Sequence, residues 1–333
     1  MSVDDDVHVC AIVKNFKSDV EYLHFGDFWI QRLHKDDIED INKNLKYFDN
    51  YPCDYYLIGR WYYIGRGKST TVLNDNNIMF FYPLFKIMKL FRRGDLIIPL
   101  LFYRWRGKWH EMKFHGESYG LGSWIGGKDE LYIFNESDVK IFNIFKEEIE
   151  PYLKYINFIG AMPYCKKYEM FNDIDTRCFL AIHILLKESI EHHNPYPVID
   201  ALINYSLALE SLFILQSGNI KRNLSARIAT ILGNNDTEEK QISNFVKKFY
   251  QIRSDIVHGS LIDRNDYNFL CTNIYNYRDY LRRSILAFLD LNMQKNSKKE
   301  VLKMIDESLS PRQFINKNEI RDSLKILKLT QDV

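Results

Sequence analysis

The segment 250–260, YQIRSDIVHGS, places an arginine in an apolar helix face, five positions before a histidine that is followed by a glycine. The surrounding pattern predicts a helix over 238–258. On a wheel of 100° per residue, the apolar residues of this helix form one stripe between about −80° and +60°, and Arg253 lies near +20°, roughly at its centre. A buried, unpaired guanidinium costs several kcal/mol, so Arg253 needs an acidic partner or must face a wet cleft or interface.

The preceding predicted helix, 197–216, offers an acidic partner. Glu210 lies there on an otherwise apolar sector and therefore needs a counter-charge of its own. A buried Glu210–Arg253 pair would satisfy both groups. Arg227, in the next predicted helix, is a competing partner for Glu210.

His258 is predicted to be the last helical residue, because glycine just past a helix end is the usual residue for a left-handed stop. At that position the imidazole can leave the helical register, and it meets unpaired carbonyls that favour its charged form. Arg253, the polar Ser254 and His258 can therefore converge on one anionic group. This chemistry suits a phosphodiester, with arginine supplying charge and histidine supplying proton transfer.

Composition restricts the classes of protein that the chain can belong to. A formal net charge of +1 over 333 residues gives no whole-molecule field for nucleic acid or anionic membrane, so such a site must be a local patch. The five cysteines are scattered and never spaced C-x-x-C, which argues for free thiols and against a disulfide framework or zinc knuckle. The acidic N-terminus and the absence of a long apolar run predict a soluble, cytoplasmic protein without a membrane segment.

Two regions with different hydrophobic periods predict an α+β protein. Residues 1–150 are expected to form a β-rich sensor or regulatory domain, with one helical insert at 35–45 and strands at 7–13, 54–65, 77–85 and 95–105. Residues 151–294 are expected to form an all-α bundle, with helices at 172–193, 197–216, 221–233, 238–258 and 266–292. Residues 295–333 are expected to form a tail of one or two amphipathic helices.

The segment YQIRSDIVHGS resembles the R-x4-H signature of HEPN domains, particularly their Apea-like branch. The resemblance extends to LALESLF in one predicted helix, NLSARIATIL in the next, and DYLRRSIL in the closing one. It implies an antiparallel helical bundle that forms a homodimer, with two R-x4-H motifs meeting in one cleft at the interface. It also implies metal-independent RNA cleavage and a place among bacterial toxins and antiviral-defence proteins.

The resemblance assigns roles residue by residue. Arg253 and His258 match the motif directly, which implies that they are catalytic. Ser254 occupies a position where many members carry Asn or another polar residue, and Glu210 and Arg227 match supporting positions. In the implied mechanism the ribose 2′-OH attacks its own 3′-phosphate, His258 is the general acid/base, and Arg253 stabilises charge on the phosphoryl oxygens. No cofactor and no metal are expected.

The expected partners are an RNA substrate, with tRNA as one candidate, a second copy of the chain through the HEPN-like domain, and a trigger or antitoxin protein at the N-terminal domain. One alternative is a non-catalytic HEPN module that binds a partner protein or nucleotide and uses Arg253 structurally. Another places nucleic-acid binding in the basic, aromatic segment 102–116, which otherwise reads as a hairpin with its rings inward. A guanidinium that opens into a two-fold cleft favours the nuclease, whereas one buried against Glu210 favours the non-catalytic module.

Three further features imitate binding sites. The stretches GRGKST (65–70) and GSWIGGKD (122–129) resemble phosphate-binding loops. Each of them lacks one residue of that motif and the helix that should follow it. We therefore predict that both are hairpin turns. His192 and His193 are adjacent, so on a helix their side chains diverge by about 100° and cannot chelate one metal.

Overall fold

The computed structural model describes residues 6–14, 16–25, 28–45, 56–63, 78–94, 96–105, 108–111, 131–152, 180–182, 184–185, 197–216, 218–292, 294–295, 297–310 and 315–330. The chain divides into two compact units. The first comprises residues 1–124, 129–147 and 189–192, and the second comprises 125–128, 148–188 and 193–333. All described strands lie in the first unit, and most described residues are helical, so the chain is α+β. None of the described helices is long and apolar enough to cross a membrane.

The first unit is built on a six-stranded antiparallel sheet with the strand order β3-β4-β5-β1-β6-β7. Its central strand, β1, carries the run Val9 to Val13, which is wholly buried and explains the continuous apolar sequence there. A separate parallel pair joins β2 and β8. The strands are β1 (Asp6–Lys14), β2 (Phe16–Lys17), β3 (Tyr22–Phe25), β4 (Phe28–Arg32), β5 (Tyr56–Tyr63), β6 (Ile97–Trp105), β7 (Lys108–Glu111) and β8 (Tyr132–Ile133).

Three helices accompany these strands: α1 (Lys35–Leu45), α2 (Ile78–Phe91) and α3 (Glu136–Ile149), the last followed by a 3₁₀ turn at Glu150–Tyr152. The predicted helix at 35–45 is confirmed, but it is not the only one. The strand predicted at 77–85 is wrong, because that segment begins α2. Its aromatic run resembles a buried strand, yet Leu84, Met88 and Phe91 are buried at helical spacing over an element too long for most strands.

The hairpin predicted in segment 102–116 is confirmed for its described residues, in which β6 pairs with β7. The ring of Phe102 is buried and meets Trp109 edge to face at 5.0 Å, while Tyr103 stacks on His110. The indole N–H of Trp109 donates to Asp40 of α1 at 2.9 Å. These rings are therefore engaged with each other and with α1, which weighs against an open stacking platform for nucleic acid.

All described secondary-structure elements of the second unit, apart from its turns and loops, are helices. The helices predicted at 197–216, 221–233, 238–258 and 266–292 are confirmed to within a few residues, and residues 180–182 and 184–185 are helical within the predicted segment 172–193. The tail differs from the expected one or two helices, because its described part forms three. The helices are α4 (Pro197–Phe213), α5 (Ile220–Leu232), α6 (Asp236–Val257), α7 (Arg264–Asn292), α8 (Lys298–Leu309), α9 (Lys317–Asp322) and α10 (Lys325–Lys328).

Local chemistry fixes both ends of α6, the helix that carries the R-x4-H motif. At its start, the side chain of Asn235 accepts a hydrogen bond from the backbone N–H of Glu238 at 3.0 Å, as an N-cap does. At its end, Gly259 has a φ of 77°, which is the left-handed stop predicted from the sequence. His258 is therefore the residue at which the helix gives way to the loop.

The C-terminal helices are fastened to the bundle by buried polar contacts. The ammonium of Lys298, at the start of α8, is buried and donates to the carbonyls of Ser211 and Ile214 at the end of α4. The carboxylate of Asp290 in α7 accepts the backbone N–H groups of Ile326 and Leu327 at 3.1 and 3.2 Å. Because unpaired helix carbonyls attract cations, Lys298 also stabilises the last turn of α4.

Candidate functional site

Arg253 of α6 is paired with Glu210 of α4. Each residue lies on an otherwise apolar helix sector and therefore needs a counter-charge. The Nη2 atom of Arg253 lies 3.3 Å from Oε1 of Glu210, and each side chain is 20% exposed. This pair joins two helices of the bundle at a place where both side chains are mostly covered and still reach solvent. The predicted Glu210–Arg253 pair is therefore confirmed.

The geometry of this ion pair is incomplete. It is one nitrogen facing one oxygen, and it lacks the two parallel hydrogen bonds of a bidentate arginine–carboxylate pair. Oε1 of Glu210 and Nε of Arg253 are both buried, and neither has a hydrogen-bond partner among the described residues. A guanidinium has five N–H donors, so most of the donor capacity of Arg253 is not used by Glu210.

Tyr250 completes the cluster and was not among the residues singled out from the sequence. Arg253 lies about one turn after Tyr250 on α6. The centroid of the Tyr250 ring is 5.6 Å from the guanidinium carbon of Arg253. Burial raises the pKa of Tyr250, and the charge of Glu210 and a hydrogen bond to Glu210 raise it further, while Arg253 opposes these effects. The i, i+3 spacing to Arg253 on one helix face is the sequence signal that could have identified this residue.

His258 follows the last residue of α6 and is exposed. Its backbone N–H donates to the carbonyl of Ser254 at 3.0 Å, which ties the last turn of the helix together. The imidazole has no hydrogen bond or ion pair to any described residue, and the half-buried Ser254 side chain has none either. Ser254 and His258 thus lie one turn apart at the end of α6, with both side chains available to a ligand.

Arg227 does not join this cluster, and the prediction that it competes for Glu210 is wrong. It forms a two-pronged ion pair with Asp306 of α8, at 2.8 Å from Nε and 2.7 Å from Nη2, and it also donates to the carbonyl of Phe213. Asp306 lies in the tail, far away in the sequence, so the pattern of α4 and α5 gave no sign of this partner. Arg227 supports the site only indirectly, by holding the end of α4.

Three exposed apolar side chains lie close to His258 in the sequence. They are Val257, Leu261 and Tyr267, called the apolar patch below, and Leu261 is 100% exposed. The helical wheel placed Val257 within the buried stripe, whereas the structure leaves it half exposed at the last position of α6. The apolar stripe of α6 therefore continues onto the surface beside the histidine.

Comparison of the chain with protein-family models, curated proteins and solved structures gives no significant match. Within the part of the chain that the structure describes, no three His, Cys, Asp or Glu side chains are grouped so as to hold a metal ion. The stretches 65–70 and 122–129 and the pair His192 and His193 lie outside the described residues.

Replacing Glu210 with alanine is expected to destabilise the second unit, because Arg253 would keep its charge in a mostly buried place without a counter-charge. We expect a loss of roughly 3 kcal/mol in the free energy of unfolding, measured by urea titration with helical circular dichroism. Asp255→Ala is the control, since the Asp255 carboxylate accepts from the exposed Gln251 and has no other hydrogen bond among the described residues. Equal stability of the two variants would show that the pair contributes nothing.

Proposed function

We propose that the second unit is a HEPN-like, metal-independent endoribonuclease of the bacterial toxin or antiviral-defence type. The observation that carries the proposal is the combination found at the end of α6. An arginine is held by a partial ion pair with donors to spare, and an exposed histidine, unpaired among the described residues, lies at the helix end. Charge stabilisation and proton transfer are the two requirements of RNA phosphodiester cleavage without a metal.

In the proposed reaction the ribose 2′-oxygen attacks the adjacent phosphorus, and the bond from phosphorus to the 5′-oxygen breaks. The products are a 2′,3′-cyclic phosphate and a 5′-hydroxyl, so one proton leaves the attacking hydroxyl and one reaches the leaving oxygen. His258 serves as the general acid/base for these transfers. The guanidinium of Arg253 stabilises the negative charge that builds up on the phosphoryl oxygens.

Glu210 and Ser254 have supporting roles in this proposal. Glu210 compensates the charge of Arg253 in the absence of RNA and fixes the side of the guanidinium that does not face the ligand. Ser254 contributes a hydroxyl one helical turn before His258. Neither residue is required to exchange a proton with the substrate.

The proposed assembly is a homodimer in which the patch of Val257, Leu261 and Tyr267 is covered by a second copy of the chain. A fully exposed leucine next to two half-exposed apolar side chains gains free energy when it is buried against an apolar partner. Because the patch flanks His258, a two-fold contact there would bring two R-x4-H motifs together in one cleft. The first unit would then receive a trigger or antitoxin protein, and the protein would act on cytoplasmic RNA, with tRNA as one candidate.

A non-catalytic HEPN module that binds a partner protein or nucleotide is the second candidate. The Glu210–Arg253 pair favours it, because a guanidinium that is 80% covered and paired in the free protein already has a structural role. The two candidates differ in what they require of His258. A module that uses only Arg253 has no need of an unbonded imidazole at the helix end.

The variant His258→Ala is expected to abolish RNA cleavage without disturbing the fold, since the imidazole is exposed and has no hydrogen bond or ion pair to any described residue. Loss of a general acid/base costs about 10²–10⁴-fold in rate. The measurement is cleavage of total cellular RNA, with end mapping for 2′,3′-cyclic phosphate, and circular dichroism as the control for folding. Activity of the wild-type protein should survive EDTA. An equal rate for the variant and the wild type would favour the non-catalytic module.

A charge placed in the apolar patch is expected to separate the dimer. Leu261→Asp cannot harm the packing of a single copy, because the side chain touches nothing there, but it would bury a carboxylate in the proposed interface. Multi-angle light scattering at micromolar concentration should show a dimer for the wild-type protein and a monomer for the variant. A monomeric wild-type protein, or a variant that stays dimeric, would contradict this interface.

A further inference from the structure

We propose that Tyr250 is a positioning residue for Arg253, holding both the guanidinium and its Glu210 counter-ion in the orientation that leaves the free N–H groups of arginine facing a phosphate. The inference rests on the proposed function for its effect on cleavage. The arrangement of the three side chains, Glu210, Tyr250 and Arg253, can be tested by a measurement that needs no RNA.

Arg253 needs a second restraint, because its ion pair alone does not fix it. An arginine side chain has large rotamer freedom, and a single 3.3 Å contact that does not meet hydrogen-bond geometry permits rotation about that contact. The ring of Tyr250, 5.6 Å from the guanidinium carbon, lies within the range of a cation–π interaction. The ring therefore supplies an attractive surface against which the guanidinium can lie.

Tyr250 also acts on the counter-ion. The terminal torsion of a glutamate has broad minima, so the carboxylate of Glu210 is not oriented by its own side chain. A hydrogen bond with Glu210 is among the causes that raise the pKa of Tyr250, which places the phenol within reach of the carboxylate. The hydroxyl of a tyrosine is protonated at neutral pH and can donate to that carboxylate. One tyrosine thus restrains the anion with its hydroxyl and the cation with its ring.

The packing around Tyr250 makes it a rigid support. Tyr250 is buried on α6, and its neighbour Phe249 stacks on Tyr277 of α7 with ring centroids 4.3 Å apart. The hydroxyl of Tyr277 meets that of Ser206 on α4, 3.2 Å away and one helical turn before Glu210. Tyr277 therefore resembles Tyr250 in burial and in linking to α4, but it bonds Ser206 instead of Glu210.

This pair of tyrosines provides a matched experiment. Tyr250→Phe removes only the hydroxyl, Tyr250→Leu removes the ring as well, and Tyr277→Phe is the control for losing a buried hydroxyl in the same layer. In ¹⁵N-arginine-labelled protein, the Nε–H signal of Arg253 is assigned by its loss in Arg253→Lys. We expect Tyr250→Leu to shift this signal by removing the ring current, and Tyr277→Phe to leave it in place. An unchanged Arg253 signal in Tyr250→Leu, or an equal shift in Tyr277→Phe, would overturn the proposal.

The second readout is the steady-state cleavage of RNA. Tyr250→Phe is expected to lower kcat by about 10-fold with KM little changed, since one hydrogen bond to a charged group is lost from the reacting geometry. Tyr277→Phe should change kcat by less than about twofold if the hydroxyl it loses has only a packing role. Equal kcat values for the two phenylalanine variants would overturn the catalytic part of the proposal.

The two proposals fail in different ways. If the wild-type protein cleaves no RNA while the Arg253 signal responds to Tyr250 as expected, the positioning role stands and the nuclease assignment falls. If RNA is cleaved while neither the signal nor kcat responds to Tyr250, the nuclease assignment stands and the positioning role falls. Should Tyr250→Leu fail to fold, the comparison of kcat between Tyr250→Phe and Tyr277→Phe decides the positioning role.

Discussion

The ion pair between Glu210 and Arg253 is the constraint on which the rest of the site depends. Each residue carries a charge into an otherwise apolar sector, so neither helix could bury its face without the other. The pair also fixes which sides of α4 and α6 meet. The last turn of α6 carries Ser254, and the exposed His258 follows directly after the helix.

A complete salt bridge would have made Arg253 purely structural. The observed contact is a single one, and it leaves Nε of Arg253 and Oε1 of Glu210 buried without hydrogen-bond partners. Unsatisfied buried charge costs free energy, which a ligand that supplies the missing acceptor would recover. The incomplete ion pair therefore links the packing of α4 and α6 to phosphate binding. For this reason an arginine that is paired with Glu210 remains compatible with the proposed nuclease.

The parts of the protein that local chemistry determines could be predicted from the sequence. The four bundle helices, the glycine stop at Gly259 and the Glu210–Arg253 pair all follow from helical periodicity and the need to neutralise buried charge. Helix α2 was missed because its aromatic run is equally typical of a strand. Only tertiary packing determines which of the two forms. Arg227 was misplaced because its partner, Asp306, belongs to a helix whose position depends on long-range packing.

The C-terminal helices help to shape the site, because they hold the end of α4. Lys298 and Arg227 both donate to carbonyls in the last turn of α4 or just after it, within one turn of Glu210. Cations at a helix C-terminus compensate its unpaired carbonyls, so α8 holds the segment of α4 that presents Glu210. The residues after 295 therefore belong structurally to the same unit as the R-x4-H helix.

The most direct test of the account is whether the guanidinium of Arg253 contributes a phosphate contact to RNA binding. Fluorescence anisotropy with an uncleavable 2′-O-methyl RNA oligonucleotide can compare Glu210→Gln with the double variant Glu210→Gln, Arg253→Gln, which differ only in the arginine. The account predicts that the double variant binds about tenfold more weakly, with a salt dependence of log Kd that is lower by about 0.7, the value for one phosphate contact on a single strand. Equal affinity and equal salt dependence of the two variants would show that Arg253 serves the fold alone.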